Sequence, residues 1–158
     1  MSESKPSAKV YTFEEMINVY QCVIYTCTGF SMLPLLRQRK DIVEIRPKTS
    51  KLKKYDVVLY KRGDKYILHR ILKVLPHGYI IAGDHNTFLE RDVTDDMILG
   101  VMTKIVRDGK TISINDFGYK VYVHLWCDLY PVRMFLIKAK AFVYKCLNFV
   151  KRRVLRIQ

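Results

Sequence analysis

Through most of the first 118 residues, hydrophobic and polar positions follow the pattern of short β-strands. Helical patterns are confined to the two ends of the chain. Short runs rich in β-branched and aromatic residues are separated by turn-forming residues. The predicted strands are residues 42–45, 57–60, 66–75, 79–82, 98–107 and 111–114. Asp108-Gly109, between the last two, is typical of a tight hairpin. Because the strands are short and closely spaced, we expect a mainly β domain, a coiled antiparallel sheet or partly closed barrel.

The segment before the strands, residues 12–24, predicts a short N-terminal helix. Thr12 is a good N-cap, acidic residues follow it in the first turn, and apolar residues recur at helical spacing from Met16. The β-branched composition of residues 23–28 leaves open that the helix ends early and a strand follows it.

The C-terminal part of the chain predicts a longer helix that is both apolar and basic. After a break at Pro131, residues 132–157 place apolar side chains on one side and most lysines and arginines on the other. Eight cations follow Asp128, the last acidic residue, and supply most of the net charge of +13. We therefore divide the chain into a β domain, residues 1–118, and a basic amphipathic tail, residues 119–158.

Such a tail is typical of a segment that lies on an anionic membrane surface. The aromatic residues before its long helix would lie at the level of the lipid headgroups. These are Tyr119, Tyr122, Trp126 and Tyr130. It stays open that the apolar side packs on the β domain instead. A nucleic-acid partner is disfavoured, because no helix-turn-helix precedes the β domain and the tail is rich in Phe, Leu and Val.

The cysteines and the N-terminus suggest where the protein works. Cys22, Cys27, Cys127 and Cys146 lie among apolar residues without metal-ligand spacing, so we expect buried thiols in a reducing compartment, with a Cys22–Cys27 disulfide as the alternative. The N-terminus lacks a secretory signal, and polar residues and proline disfavour residues 16–36 as a transmembrane helix. We expect a cytoplasmic protein peripherally associated with the membrane, with no metal or cofactor.

The first candidate for chemistry is Ser31. Gly29 precedes it by two residues and Pro34 follows it by three, which places the serine on a tight turn. Such a turn projects the hydroxyl and brings backbone N–H groups close to a substrate carbonyl. Taken alone, the pattern equally describes a serine that caps a short helix near Leu33.

Later segments favour the catalytic interpretation, because four segments in order resemble the type I signal peptidase family. They are Ser31-Met32-Leu33-Pro34, similar to its S-M-x-P nucleophile box; residues 55–60, similar to its G-D-[IV]-V strand; residues 66–71, the strand of the general base; and Gly83-Asp84-His85-Asn86, similar to its G-D-N box. Residues 98–101 resemble the strand that closes the catalytic core. The resemblance implies a signal-peptidase-like fold and a serine endopeptidase that cleaves a leader or signal-like segment.

At the position of the base the chain has His69-Arg70, which is similar to the endoplasmic-reticulum and archaeal subgroup with a histidine base. The resemblance implies that Ser31 attacks the peptide bond and His69 takes its proton. A histidine base works best with a carboxylate that orients it. Asp84 is the leading candidate and Asp92 is second, while Glu90 lies at nearly the same distance, so spacing does not rank the last two.

The resemblance also assigns the oxyanion and substrate-binding segment to Gly29, Met32 and Pro34. Gly29 stands where the typical family member has a serine. The implied partner is a peptide or protein substrate bound as an added strand. The alternative function is a non-catalytic adaptor with the same fold, which binds peptides at the membrane surface without cleaving them.

Overall fold

A computed structural model of the chain describes residues 11–154 and contains, within that range, three α-helices and eight β-strands. In chain order the elements are α1 (Phe13–Tyr20), β1 (Val23–Thr26), β2 (Ile42–Arg46), β3 (Val57–Arg62), β4 (Lys65–Leu75), β5 (Gly78–Ala82), β6 (Glu90–Val93), β7 (Ile98–Arg107), β8 (Lys110–Ser113), α2 (Phe117–Asp128) and α3 (Tyr130–Val154). The mainly β prediction is confirmed.

The strands form one antiparallel sheet in the order β1-β2-β7-β3-β4-β5-β6, and it does not close into a barrel. The first part of β7 pairs with β3 and its last part pairs with β8, while β2 pairs with residues 101–106 of β7. Asp108 and Gly109 form the β7–β8 turn with φ of 49° and 77°. These positive φ values are the conformation that an Asp-Gly hairpin favours.

The six predicted strands are confirmed to within two residues at each end. Alternation of buried with less buried positions is clear in β2 and β7, whereas β3 and β4 are buried on both faces over residues 57–60 and 68–71. Two shorter strands lie outside the prediction. β1 follows the alternative left open for residues 23–28, and β6 lies in an acidic segment that lacks an apolar pattern.

The N-terminal helix begins as predicted and ends earlier. The Thr12 hydroxyl accepts a hydrogen bond from the Glu15 N–H at 3.2 Å, and the Glu15 carboxylate accepts one from the Thr12 N–H at 2.7 Å. This reciprocal pair satisfies two helix N-terminal donors. Gln21, in the left-handed region at φ 55°, ends the helix and leads the chain into β1.

Helix α2 packs on the sheet and belongs to its hydrophobic core. Tyr119, Val123 and Cys127 recur every four residues and are buried in the main core cluster. The division after residue 118 had assigned these residues to the tail, whereas their burial joins α2 to the β domain. Of the predicted headgroup aromatics, Tyr119 is buried, and Tyr122 and Trp126 are half-buried and hydrogen-bonded to the β domain. The headgroup prediction is therefore wrong for these three.

Helix α3 begins at Tyr130, two residues before the predicted start, and residues 155–157 lie outside the described part of the chain. Several apolar side chains of the helix are more than half exposed: Val132, Phe135, Phe142, Val143 and Leu147. Met134 is buried and lies on the far side of the helix from them at 100° per residue. At these residues, the apolar side of α3 is therefore not packed on the β domain.

Two further expectations concern the cysteines and a membrane-spanning segment. Cys27 and Cys127 are buried as predicted, Cys22 is half-buried and Cys146 is exposed on α3. All four thiols are free, so the alternative Cys22–Cys27 disulfide is not formed. Among the helices in residues 11–154, none combines the length and the hydrophobicity needed to cross a bilayer.

Candidate active site

Ser31 lies in the loop that joins β1 to β2, at a turn fixed by its buried neighbours. The Leu33 N–H donates to the Phe30 carbonyl at 3.1 Å and the Leu36 N–H donates to the Met32 carbonyl at 2.8 Å. Met32 and Leu36 are 3% and 1% exposed, so they anchor the turn in the core. Ser31 itself is partly exposed at the edge of a groove.

The turn after β5, residues 83–86, packs directly on Ser31. The His85 N–H donates to the Ser31 carbonyl at 2.7 Å. A Cβ at Gly83 would overlap that same carbonyl oxygen and would lie 2.9 Å from the Ser31 Cβ. Glycine is therefore required at this position by close approach, and the resemblance to a G-D-N box has a physical basis here.

His69 is a buried residue of β4 that faces two polar side chains. Its Nδ1 lies 2.8 Å from Oε1 of Glu90, and its Nε2 lies 3.5 Å from Nδ2 of Asn86. Because an ionised carboxylate can only accept, the contact with Glu90 assigns the imidazole proton to Nδ1. Nε2, on the side of the 83–86 turn, is then left to accept a proton.

The acid that contacts His69 is Glu90, whereas Asp84, the leading sequence candidate, binds elsewhere. The guanidinium of Arg70 donates from Nε and Nη2 to the two oxygens of Asp84, each at 2.8 Å, and both side chains are buried. Successive residues of a strand point to opposite faces. Arg70 therefore takes Asp84 to the face opposite His69, and the role predicted for Asp84 is corrected to an ion pair that holds the turn.

Asp92 is also absent from the surroundings of His69. Its side chain is 75% exposed and lies 2.7 Å from Nη2 of Arg62. Glu90 and Asp92 both lie on β6, where Glu90 pairs in register with Ile81 of β5 and shares its inward face. The signal that sequence reasoning lacked was this short strand and the irregularity in its pairing between Ile81–Glu90 and Tyr79–Val93, because residues two apart on a regular strand would share a face.

The surroundings of His69 lower its pKa below the ordinary value of about 6.5. Burial is the largest cause, and it outweighs the carboxylate of Glu90, which raises the pKa. The imidazole is consequently neutral at pH 7. A neutral imidazole that is hydrogen-bonded through Nδ1 can act as a general base through Nε2.

A groove of about 220 Å³ runs beside Ser31, between the end of β1 and the start of β4. It is lined by Tyr25, Cys27, Thr28, Gly29, Ser31, Met32, Tyr66, Ile67 and Leu68. Gly29 and Met32 line this groove, whereas Pro34 lines a different cavity, beside α2. A larger cavity of about 410 Å³ lies between the loop after β2 and α2 and contains no candidate catalytic residue.

Ser31 and His69 are connected through the 83–86 turn rather than by a direct bond. In the part of the chain that the structure describes, no side chain is hydrogen-bonded to the Ser31 hydroxyl. Gly83 contacts Ser31, and a Cβ at Gly83 would also come within 3.0 Å of Asn86 Nδ2, the atom that faces His69. Catalytic hydrogen bonds are often loose before substrate binds.

No protein-family model matches the chain, and a search of curated proteins finds none that matches it. The resemblance to signal peptidases therefore depends on the four sequence segments and on the contacts that their residues make.

Proposed function

We propose that the protein is a serine endopeptidase of the signal-peptidase type, with Ser31 as nucleophile and His69 as general base. The observation that carries the proposal is the environment of His69, which is buried, has a lowered pKa and is bound at Nδ1 by Glu90. A general base must be neutral and is oriented by a carboxylate, and His69 meets both conditions. The packing of Ser31 on the turn that also contacts His69 is the second support.

The reaction proceeds through an acyl-enzyme. Ser31 Oγ attacks the scissile carbonyl carbon while His69 Nε2 takes the hydroxyl proton. Glu90 stabilises the imidazolium that forms and keeps the ring in position. His69 then gives the proton to the leaving amine, and a water molecule activated by the same imidazole hydrolyses the ester. Backbone N–H groups of the Ser31 turn are the candidate donors to the oxyanion.

The groove beside Ser31 suits an extended peptide. β1 is the end strand of the sheet, so its outer edge offers backbone groups to an added strand. The volume of about 220 Å³ and the apolar lining from Met32, Ile67 and Leu68 favour small or apolar side chains near the scissile bond. We infer that the substrate is a leader or signal-like segment.

The proposed place of reaction is the surface of an anionic membrane, to which the protein is peripherally bound through α3. The apolar side chains Phe135, Phe142 and Leu147 are 71%, 69% and 62% exposed. Eight cations and no acidic residue follow Asp128. Exposed apolar surface combined with positive charge is what an anionic lipid surface binds.

Peptide cleavage followed by mass spectrometry tests the catalytic proposal. Wild type, Ser31→Ala and His69→Ala are incubated with a diverse peptide library, with and without anionic vesicles. Ser50→Ala and His77→Ala, which alter an exposed serine and an exposed histidine that do not line the groove, are the matched controls. We expect cleavage by wild type and both controls and its loss in Ser31→Ala and His69→Ala. Cleavage that persists in Ser31→Ala would refute the mechanism.

The lack of a hydrogen bond between Ser31 and His69 favours a second candidate, a peptide-binding adaptor without catalysis. If the protein is an adaptor, wild type and Ser31→Ala should both retain library peptides intact in the groove. Pull-down of the same library on immobilised protein distinguishes the two functions, because an endopeptidase releases two fragments and an adaptor releases one uncut peptide.

A further inference from the structure

Tyr60 is a fully buried residue of β3 whose hydroxyl lies among the polar groups of the site. Its Oη is 2.9 Å and 2.8 Å from the two carboxylate oxygens of Glu90, and it is 3.4 Å from His69 Nδ1. Burial, followed by the charge of Glu90, raises the pKa of Tyr60 far above its usual range. The phenol therefore keeps its proton and donates it to the carboxylate.

Glu90 needs such donors because of where it stands. It is the first residue of β6, a four-residue strand at the end of the sheet that pairs only with β5. Arg62, two residues after Tyr60 on the same face of β3, adds an ion pair with Glu90 at 3.2 Å. β3 thus supplies two groups that hold the carboxylate: the Tyr60 hydroxyl donates to it, and Arg62 forms an ion pair with it.

We propose that Tyr60 is a positioning residue, which holds the Glu90 carboxylate against Nδ1 of His69 and thereby sets the orientation and the basicity of the imidazole. Its consequence for peptide cleavage rests on the proposed function, but its effect on His69 does not. The assignment follows from two hydrogen bonds on one carboxylate and from complete burial of the tyrosine.

The Glu90 carboxylate accepts a hydrogen bond from Tyr60 and another from His69, so each of the two bonds affects the strength of the other. A donor to a carboxylate withdraws negative charge from it and weakens its attraction for a neighbouring imidazolium. Removal of the Tyr60 hydroxyl leaves Glu90 with more charge toward His69, so the pKa of His69 rises. The titratable and charged groups around His69 are Tyr60 and Arg62 from β3, Glu90 from β6 and Asp84 from the turn after β5.

The test is a pH titration of the His69 ring nitrogens by ¹⁵N NMR in the full chain, which needs no substrate. In Tyr60→Phe we expect the pKa of His69 to rise by roughly half a unit or more, since hydrogen bonds to charged groups are the stronger kind. Tyr79→Phe is the matched control, because Tyr79 is also buried and donates to a carboxylate, that of Asp95, at 2.8 Å. It should leave His69 unchanged.

A second variant guards against a Tyr60→Phe protein that does not fold. Replacement of Tyr60 by 3-fluorotyrosine keeps the shape of the ring and makes the phenol a stronger donor. The pKa of His69 should then fall. A His69 pKa that is the same in wild type and in the fluorinated protein, or that moves upward, would overturn the role of Tyr60.

The catalytic consequence is measured separately. With a peptide that wild type cleaves, Tyr60→Phe should lower kcat/KM by about tenfold, with the acid limb of the pH profile moved to higher pH and KM little changed. A wild-type protein that cleaves no peptide would remove the proposed function and leave the NMR result to decide the inference. Cleavage by wild type with an unchanged His69 titration in both Tyr60 variants would remove the inference alone.

Discussion

At the scale of single residues, Gly83 is the position of the site with the least room for a side chain, because the Ser31 carbonyl oxygen lies against it. A methyl group at position 83 would overlap the Ser31 carbonyl oxygen, which is backbone and cannot rotate away. The Ser31 turn would have to shift, and with it the hydroxyl. The geometry of the proposed nucleophile therefore depends on a glycine that has no side chain of its own to contribute.

Gly83→Ala should reduce peptide cleavage by about a hundred-fold, because a displacement of the order of 1 Å at a reacting group costs that much. Gly118→Ala is the control, since Gly118 lies outside the groove, a Cβ there meets nothing within 4 Å and Gly118 has no positive φ. Initial cleavage rates and thermal unfolding of the two variants supply the comparison. Equal rates in both variants would show that the 83–86 turn does not position Ser31.

The pH dependence of cleavage follows from the lowered pKa of His69. The base must be neutral, so kcat/KM is full above the His69 pKa and falls as the pH decreases through it, at a pH below the ordinary 6.5. Glu90→Gln removes a group that raises this pKa, so the acid limb moves to still lower pH while the plateau falls by roughly a hundred-fold or more. Asp92→Asn should reproduce the wild-type profile, and a loss there in place of Glu90→Gln would reverse the assignment of the acid.

Sequence order was enough to single out Ser31 and His69 as candidates, but not to choose the acid that contacts His69. The choice among Asp84, Asp92 and Glu90 depends on what each carboxylate contacts. Asp84 pairs with Arg70, and the pairing of β6 is irregular between Glu90 and Val93, neither of which spacing along the chain reveals. The charged composition of residues 90–92 also resembles a solvated loop, which hid the strand.

At the scale of elements, α2 connects the core to the active-site turn. Its Trp126 Nε1–H donates to the Asp84 carbonyl at 2.8 Å, and its Tyr122 hydroxyl donates to an Asp84 carboxylate oxygen at 3.0 Å. Asp84 lies next to Gly83, which contacts Ser31. One helix thus stabilises the main chain on which the position of the nucleophile depends.

Trp126→Phe should destabilise the fold and slow cleavage. The change leaves the buried Asp84 carbonyl without its indole donor, at a cost of about 1–3 kcal/mol in the free energy of unfolding. Urea denaturation and initial cleavage rates measure the two effects. The neighbouring Leu125, 59% exposed on the same helix, supplies the control, and Leu125→Ala should change neither quantity. A Trp126→Phe variant as stable and active as Leu125→Ala would contradict the role of α2.

The strands were predictable because local sequence determines them, whereas α2 was not. Alternating apolar residues and Gly- or Asp-containing turns specify hairpins within a few residues. Tyr119, Val123 and Cys127 also recur at helical spacing, but the surrounding aromatic residues suited a membrane interface equally well. The Arg70–Asp84 pair, which is distant in sequence, is hydrogen-bonded to Tyr119 and Tyr122 of this helix, so only the tertiary structure reveals that α2 faces the core.

At the scale of the whole molecule, exposed apolar side chains and positive charge occur in the same part of the chain. The apolar side of α3 is exposed, and the residues after Asp128 supply most of the net charge of +13. Met134 of α3 is buried, while Phe135, Phe142 and Leu147 of the same helix stay exposed. Exposed apolar side chains of this kind are a liability in water unless a partner covers them. The uniform positive charge after Asp128 fits the proposed anionic membrane surface, because lipid can also cover an apolar stripe that nucleic acid would leave exposed to water.

Binding to lipid vesicles decides this point. Wild type should associate with vesicles that contain anionic lipid, bind neutral vesicles weakly and be released by high salt, because salt screens the attraction. Phe142→Ser combined with Leu147→Ser should weaken binding at least tenfold, since each apolar side chain contributes about 1.5–3 kcal/mol when fully buried. Tyr144→Ser is the control, because Tyr144 is 64% exposed but lies away from the apolar stripe at 100° per residue. Equal loss in Tyr144→Ser, or tighter binding to DNA than to anionic vesicles, would mean that α3 serves another partner.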